Sequence, residues 1–416
     1  MPTYLPRVAD HELMVRLTAM GAVLIEGPKA CGKTATAVQV AATTFRFDED
    51  ANARAAVTLN PDALFAQPTP ILFDEWQVEP AIWNRVRRQV DDRGGRGLFV
   101  LTGSATPRDD MTRHSGAGRI GTIRMRPMSL FESGHSNGQV SVAALFEGEA
   151  QTGMATELSV PYLMERVVIG GWPGLIGVGE QEARLWLRDY LQHISEVDVP
   201  AMGPDRNPRN IRRLLGSLAR SAGQPAKLTE LEKDVGGDRG PVASETLHNY
   251  LDALDRLMLT EASEAWRPHM RSRTRLRSAP VRYFVDPSLG PAALGIGSAE
   301  LMADLEAAGF HFEAMVMRDL RVYSQPLGGV VESWRDANGR EVDAVVTLPG
   351  GRWAAFEVKL NPRATDVAAA SLLKFASSVD TIRQGEPTAL CVITSTGFAG
   401  RRTDGVHVIP ITALGP

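Results

Sequence analysis

One run of eight residues constrains this chain more than any other feature. Gly27-Pro28-Lys29-Ala30-Cys31-Gly32-Lys33-Thr34 satisfies G-x-x-x-x-G-K-[ST] at every fixed position. Such a loop needs a strand before it and a helix after it. Ala22-Val-Leu-Ile-Glu26 reads as a short buried strand, and the small residues from Thr34 to Ala42 suit a helix. Gly27 and Gly32 let the backbone turn its N–H groups toward phosphate oxygens, and the following helix N-terminus favours negative charge. Lys33 is then placed to reach β- and γ-phosphates, and the Thr34 hydroxyl to bind Mg²⁺. Cys31 lies inside the loop, where a helix N-terminus lowers a thiol pKa; it serves equally as a small loop residue.

The rest of the first ~130 residues alternates apolar runs with helical stretches, which predicts a parallel sheet covered by helices. Ile71-Leu-Phe-Asp74 ends in acid, where the second half of a phosphate site belongs. Asp74 is expected in the Mg²⁺ shell and Glu75 as the group that polarises the attacking water; an acidic helix cap is the alternative. A helix is expected over 83–90, carrying Arg85, Arg87 and Arg88. The strand Leu98 to Thr102 leads into Gly103-Ser104, where a polar group can sense the γ-phosphate. Arg108, Arg113 and Arg119 follow. Arg119 is selected as an arginine finger, in cis or from a neighbouring copy, because glycines flank it; a solvated loop arginine serves as well.

Composition narrows the setting. A length of 416 residues predicts two to three domains at ~150 residues each. Hydrophobic residues at 44% and charged residues at 23% suit a folded chain, and a net charge of −4 excludes a uniformly basic nucleic-acid coat. Cys31 and Cys391 alone form no disulfide framework, which suits a reducing, cytoplasmic compartment. No apolar run approaches the ~20 residues that span a bilayer. The expected division is 1–150, 151–270 and 271–416. The segment from Gly134 to Thr156 reads as a loop or insertion, partly helical at 142–146. The middle part has helices at 160–168, 183–194 and 211–218, a short helix opened by a capping box at Thr229-Glu-Leu-Glu232, a turn, and a helix from Ser244 to Leu254. A strand near 257–260 would complete a winged-helix unit.

The last part is strand-rich, with helices expected at 300–308 and 312–323. Glu341-Val-Asp343 opens an apolar alternation, Pro349-Gly350-Gly351 turns, and Arg352 to Leu360 returns. A hairpin centred near Gly350 sets Asp343 opposite Glu357, with Lys359 on the same face. Two acids suit a hard divalent cation, Mg²⁺ or Mn²⁺, and the lysine can stabilise developing charge. This D…E-x-K pattern is the core of the PD-(D/E)XK nuclease fold, which adds an acid from a preceding helix; Glu313 is placed to supply it. A surface hairpin with an ion pair is the plain alternative. Arg271, Arg273, Arg275 and Arg277 alternate, a stripe suited to phosphate contacts or to protecting a strand edge. The Ser244–Leu254 helix carries Glu245 and Asp252, which argues against groove reading by that helix.

Taken in order, these residues resemble a family of bacterial and archaeal ATP-binding proteins. Its members join an AAA-type P-loop ATPase domain, a winged-helix segment and a C-terminal domain of unknown function similar to the PD-(D/E)XK fold. The resemblance rests on Tyr4-Leu-Pro-Arg7, Gly27 to Thr34, Phe73-Asp-Glu-Trp-Gln77, Leu101-Thr-Gly-Ser104 and Arg126-Pro-Met-Ser-Leu-Phe-Glu132. It continues through Gly170-Gly-Trp-Pro173, Tyr283-Phe-Val-Asp286, Phe312-Glu313, Glu341-Val-Asp343 and Phe356-Glu-Val-Lys359. Pro28 and Ala30-Cys31 depart from the usual loop interior, and Val197 stands where that family places arginine. The resemblance implies an α/β multidomain protein that binds ATP with Mg²⁺ and hydrolyses it. The C-terminal part would act on DNA or RNA, or serve as a non-catalytic part of an ATP-gated regulatory or protein-binding module. A homo-oligomer with Arg119 acting in trans fits either.

Overall fold

The computed structural model describes residues 4–104, 115–149, 152–154, 158–203, 206–267, 280–336 and 339–416. Arg108, Arg113 and the stripe at Arg271, Arg273, Arg275 and Arg277 lie outside the described residues. The chain divides into two compact units. One holds residues 1–127 with the short pieces 172–174 and 256–258, and the other holds the remainder. The segments expected to form separate middle and C-terminal domains thus fall in one unit.

The first unit is built on strands β1 (Ala22–Glu26), β2 (Thr43–Arg46), β3 (Ile71–Asp74), β4 (Phe99–Gly103) and β5 (Ile120–Arg124). All pair in parallel, in the order β2-β3-β4-β1-β5. Every residue of β3 and β4 is buried, which is why these strands read as unbroken apolar runs. Phe47, Phe65, Phe73 and Phe99 stack or meet edge-on at 5.5 to 6.1 Å between ring centroids. The helix Ala51–Leu59 starts where Asp50 accepts from Asn52 N and Ala53 N, and Ala81–Arg93 ends at Gly94 with φ +61°. The helix after the loop is Lys33–Val38, shorter than its small residues suggested. The chain leaves it to enter β2, with Ala42 N donating to Pro70 O.

The second unit contains β6 (Val140–Ser141), β7 (Gly153–Met154), β8 (Thr260–Ser263) and β9 (Val281–Phe284). It also contains β10 (Val330–Arg335), β11 (Glu341–Thr347), β12 (Trp353–Lys359), β13 (Ala389–Thr394), β14 (Phe398–Arg401), β15 (His407–Pro410) and β16 (Leu414–Gly415). A mixed sheet runs β10-β11-β12-β13-β15-β14-β7, β16 pairs with β6, and β8 pairs antiparallel with β9. Three helices, Pro208–Arg220, Leu228–Gly236 and Ser244–Arg256, precede the β8–β9 pair. The capping box expected at Thr229 and Glu232 does not form. Lys227 is already the extended N-cap residue, so Thr229 sits inside the helix. The expected helix over 300–308 is instead two. Ser298–Ala303 stops at Asp304, whose carboxylate accepts from Ala307 N and starts Leu305–Ser324.

Candidate functional site

The phosphate loop connects β1 to Lys33–Val38 at the carboxyl edge of the parallel sheet, where ligands of open α/β sheets bind. Its shape depends on backbone that few residues adopt. Gly32 has φ +102°, and Ala30 has φ +64° although it is not glycine. A methyl group on Gly27 would lie 2.2 Å from the Met125 carbonyl oxygen, so the loop passes too close to the chain after β5 for any side chain. Lys33 is buried, and its Nζ donates to Gly27 O at 3.1 Å and Pro28 O at 2.9 Å. Cys31 is buried against Met125 O, inside the loop rather than facing a reactant.

Asp74, at the end of β3, collects hydroxyls. Thr34 Oγ1 donates to its Oδ1 at 2.8 Å, and Thr102 Oγ1 donates to the same oxygen. Glu75 follows at φ +52°, a left-handed conformation that turns its carboxylate off the strand direction. Gln77 Nε2 donates to Glu75 Oε2, and Ser104 Oγ donates to it at 3.3 Å. A cavity of about 500 Å³ is lined by Lys29, Lys33, Thr34, Asp48, Glu75 and Ser104, among others. The Thr34 hydroxyl and the Asp74 carboxylate are adjacent hard oxygen donors, a set that fits Mg²⁺.

Arg119 is elsewhere. Its carbonyl accepts from Ala22 N, the first residue of β1, whereas the loop follows Glu26, the last. Four strand steps, roughly 13 Å of backbone, separate the two ends. Its guanidinium Nε pairs with Asp91 at 2.8 Å. In its own chain the parallel sheet places it at the edge opposite the phosphate loop.

The second unit brings the other predicted acids together. The β11–β12 ladder pairs Ala344 with Phe356, so one further step sets Asp343 opposite Glu357. Asp343 Oδ2 accepts from Val358 N at 2.7 Å. Lys359 Nζ lies 2.7 Å from Glu357 Oε2 and 3.6 Å from Asp343 Oδ2. Glu313, on Leu305–Ser324, accepts from the Tyr283 hydroxyl at 2.5 Å. Burial pushes the Glu357 carboxyl up to about 8, with Asp343 adding to the rise and Lys359 opposing it. Burial also raises Asp343 and Glu313. Burial works against the Lys359 ammonium, but Asp343 and Glu357 outweigh it and raise its pKa. The cluster therefore holds protons more tightly than its separate groups would. Cavities of about 1030 and 650 Å³ share Phe310, Glu313, Glu341 and Asp343 in their walls.

The acids of this cluster are engaged within the protein. The ammonium of Lys359 sits against both acids of the pair, and Glu313 is engaged by Tyr283. Among the described residues, no group of three or more His, Cys, Asp or Glu side chains is arranged to hold a metal ion. Glu313, Asp343 and Glu357 come together in one cluster, with Lys359 against the Asp343–Glu357 pair.

Three residues near the phosphate loop were not assigned roles from the sequence. Thr102, next to last in β4, donates to Asp74, Gln77 holds Glu75, and Arg7 reaches the loop from a distant segment. Position after an apolar strand was a usable signal for Thr102. Arg7 had only its place in Tyr4-Leu-Pro-Arg7.

Residues 20–133 match a family model described as an AAA domain. Residues 160–300 match a domain of unknown function (DUF8612), and residues 308–414 match another (DUF4143). Among solved structures, the chain is similar to the Walker-type ATPase of Pyrococcus abyssi, at 12% identity and a TM-score of 0.42, over 68% of this chain and 94% of that one. No curated protein matches. The N-terminal part is similar to AAA domains and carries a phosphate-loop motif. Among the described residues, no helix is long and apolar enough to cross a membrane.

Proposed function

We propose that the first unit binds ATP with Mg²⁺ and hydrolyses it. The observation that carries this reading is the convergence of Lys33, Thr34 and Glu75 on one cavity at the carboxyl edge of a parallel sheet, with Asp74 hydrogen-bonded to Thr34. Lys33 releases the carbonyls of Gly27 and Pro28 and turns its ammonium to the β- and γ-phosphates. Thr34 and Asp74 would hold Mg²⁺, which neutralises phosphate charge when bound. Glu75 orients and polarises the attacking water, while Gln77 and Ser104 fix its carboxylate. Arg119 serves only in trans, as a finger offered to a second copy. Lys33→Ala should abolish ATP turnover, measured as phosphate release. Glu75→Gln should slow hydrolysis by about 10²-fold or more with ATP still bound. Full turnover in Lys33→Ala would overturn the proposal.

For the second unit, one reading is a metal-dependent nuclease-like site acting on DNA or RNA. The other is a non-catalytic part of an ATP-gated binding module. Lys359 beside Asp343 and Glu357 is common to both readings. Cleavage of DNA or RNA with Mn²⁺, lost in Glu357→Ala and Lys359→Ala, would decide for the first.

A further inference from the structure

We propose that Arg7 is a positioning residue that sets the orientation of the phosphate-loop amides; this rests on the nucleotide reading of that loop. Arg7 stands just before the helix Val8–Ala19, with extended backbone. Asp10 fixes the approach, accepting from Arg7 N at 2.8 Å and from the Tyr4 hydroxyl at 2.5 Å. The Arg7 side chain is buried, at 7% exposure. Its Nη1 donates to Cys31 O at 2.9 Å, and its Nη2 donates to Arg126 O at 2.7 Å. One planar fork thus joins the loop to the chain that leaves β5.

The consequence follows from peptide geometry. In a trans peptide the C=O and N–H point in opposite directions. With Cys31 O held by Arg7, the Gly32 N–H is aimed away from Arg7. A phosphate loop works by presenting such N–H groups to its ligand. Gly32, on one side of this peptide, has φ +102°, and Ala30, one residue before its other side, has φ +64°, both in the left-handed region. Glycine adopts that region freely, but alanine does so at a cost, so Ala30 pulls the loop toward other conformations. Arg7 opposes that pull from the side remote from the ligand. A lysine offers one nitrogen on a flexible stem where the guanidinium offers two in a fixed plane, so it holds the two carbonyls less rigidly. The Gly32 position fits the same picture, since a methyl group there would lie 3.2 Å from Arg7 Nη1.

The test uses the full chain and two readouts. Calorimetric titration with MgATP should show affinity falling tenfold or more in Arg7→Gln and in Arg7→Lys. Adding Ala30→Gly to Arg7→Gln should recover most of the loss, because glycine removes the opposing strain. Arg16→Gln breaks an ion pair to Glu12 on the same helix without touching the loop, and should leave affinity unchanged. Amide exchange over residues 27–34 in ATP-free protein reads the brace itself and should quicken in Arg7→Gln. Unaltered exchange overturns the inference, whether or not ATP binds. A loss of affinity that Ala30→Gly does not recover, accompanied by an equal fall in melting temperature, also overturns it by reducing Arg7 to a structural role. A parent protein that fails to bind ATP, while exchange still responds to Arg7, removes the nucleotide reading and supports the brace.

Discussion

Individual residues carry sharply different constraints here. At Gly27 the limit is steric, because the atom 2.2 Å from an added methyl is a backbone oxygen that cannot rotate away. Gly27→Ala should displace the loop, cost about 1–3 kcal/mol of stability by overpacking, and weaken MgATP binding in a titration. At His311 the constraint is solvation. It is buried, and burial pushes its pKa down to about 4 from an ordinary 6.5. The folded state binds fewer protons there than the unfolded chain, so stability rises with pH between about 4 and 6.5 and is fully present above that window. Acidification through the window should remove on the order of 3 kcal/mol from the second unit, at 1.36 kcal/mol per pKa unit. Denaturation midpoints at pH 7 and pH 4.5 measure this, and His311→Gln should flatten the difference. Residue chemistry was partly legible in the sequence. Asp343 and Glu357 were placed opposite each other because Gly350 and Gly351, both with φ above +80°, mark the turn between the two strands. That Lys359 would share their side was legible from the strand period, but its distances to the two acids were not, since strand spacing gives a shared face only.

Secondary-structure elements show where local pattern stops being informative. Helix Leu305–Ser324 carries Arg318, fully buried, pairing with Asp286 at 2.9 Å and with Asp319 at 2.8 Å. Asp286 also accepts from Gly171 N and Ser288, and Asp319 from Leu130 N. The motifs around residues 128–132, 170–171 and 283–286 therefore converge on one guanidinium. No periodicity reveals this, because the partners come from distant segments. Arg318→Met leaves two buried carboxylates without their cation and should destabilise the second unit by about 3–5 kcal/mol. Chemical denaturation followed by far-UV dichroism would show it, and a change under 1 kcal/mol would contradict the account. Boundaries erred for local reasons. Asp304 caps a helix where periodicity ran on, and Lys227 starts one before its expected box.

At the scale of the whole molecule, three strands of the first unit were readable and their order in the sheet was not. Apolar runs with acid or glycine after them located β1, β3 and β4. Which edge of the sheet Arg119 would occupy required the parallel register. Because the phosphate site lies wholly in the first unit, ATP should stabilise that unit and leave the other at its own melting temperature. At 100 times Kd the gain is about 2.7 kcal/mol. Calorimetric scans should show one transition moving with MgATP, and none moving in Lys33→Ala.

The pairing of β16 with β6 reaches across the length of the second unit. Leu414 aligns with Val140, Ser136 Oγ donates to Leu414 O at 2.6 Å, and Ser141 Oγ donates to Pro416 O at 2.5 Å. A ribosome making this chain delivers β6 more than 270 residues before its partner strand. The parallel sheet of the first unit has all its strands once Arg124 has emerged. The segment from Ser136 to Ser141 must wait for Leu414 and Gly415 to be made, so completion of the second unit cannot precede them, and removing β16 would leave β6 without its strand.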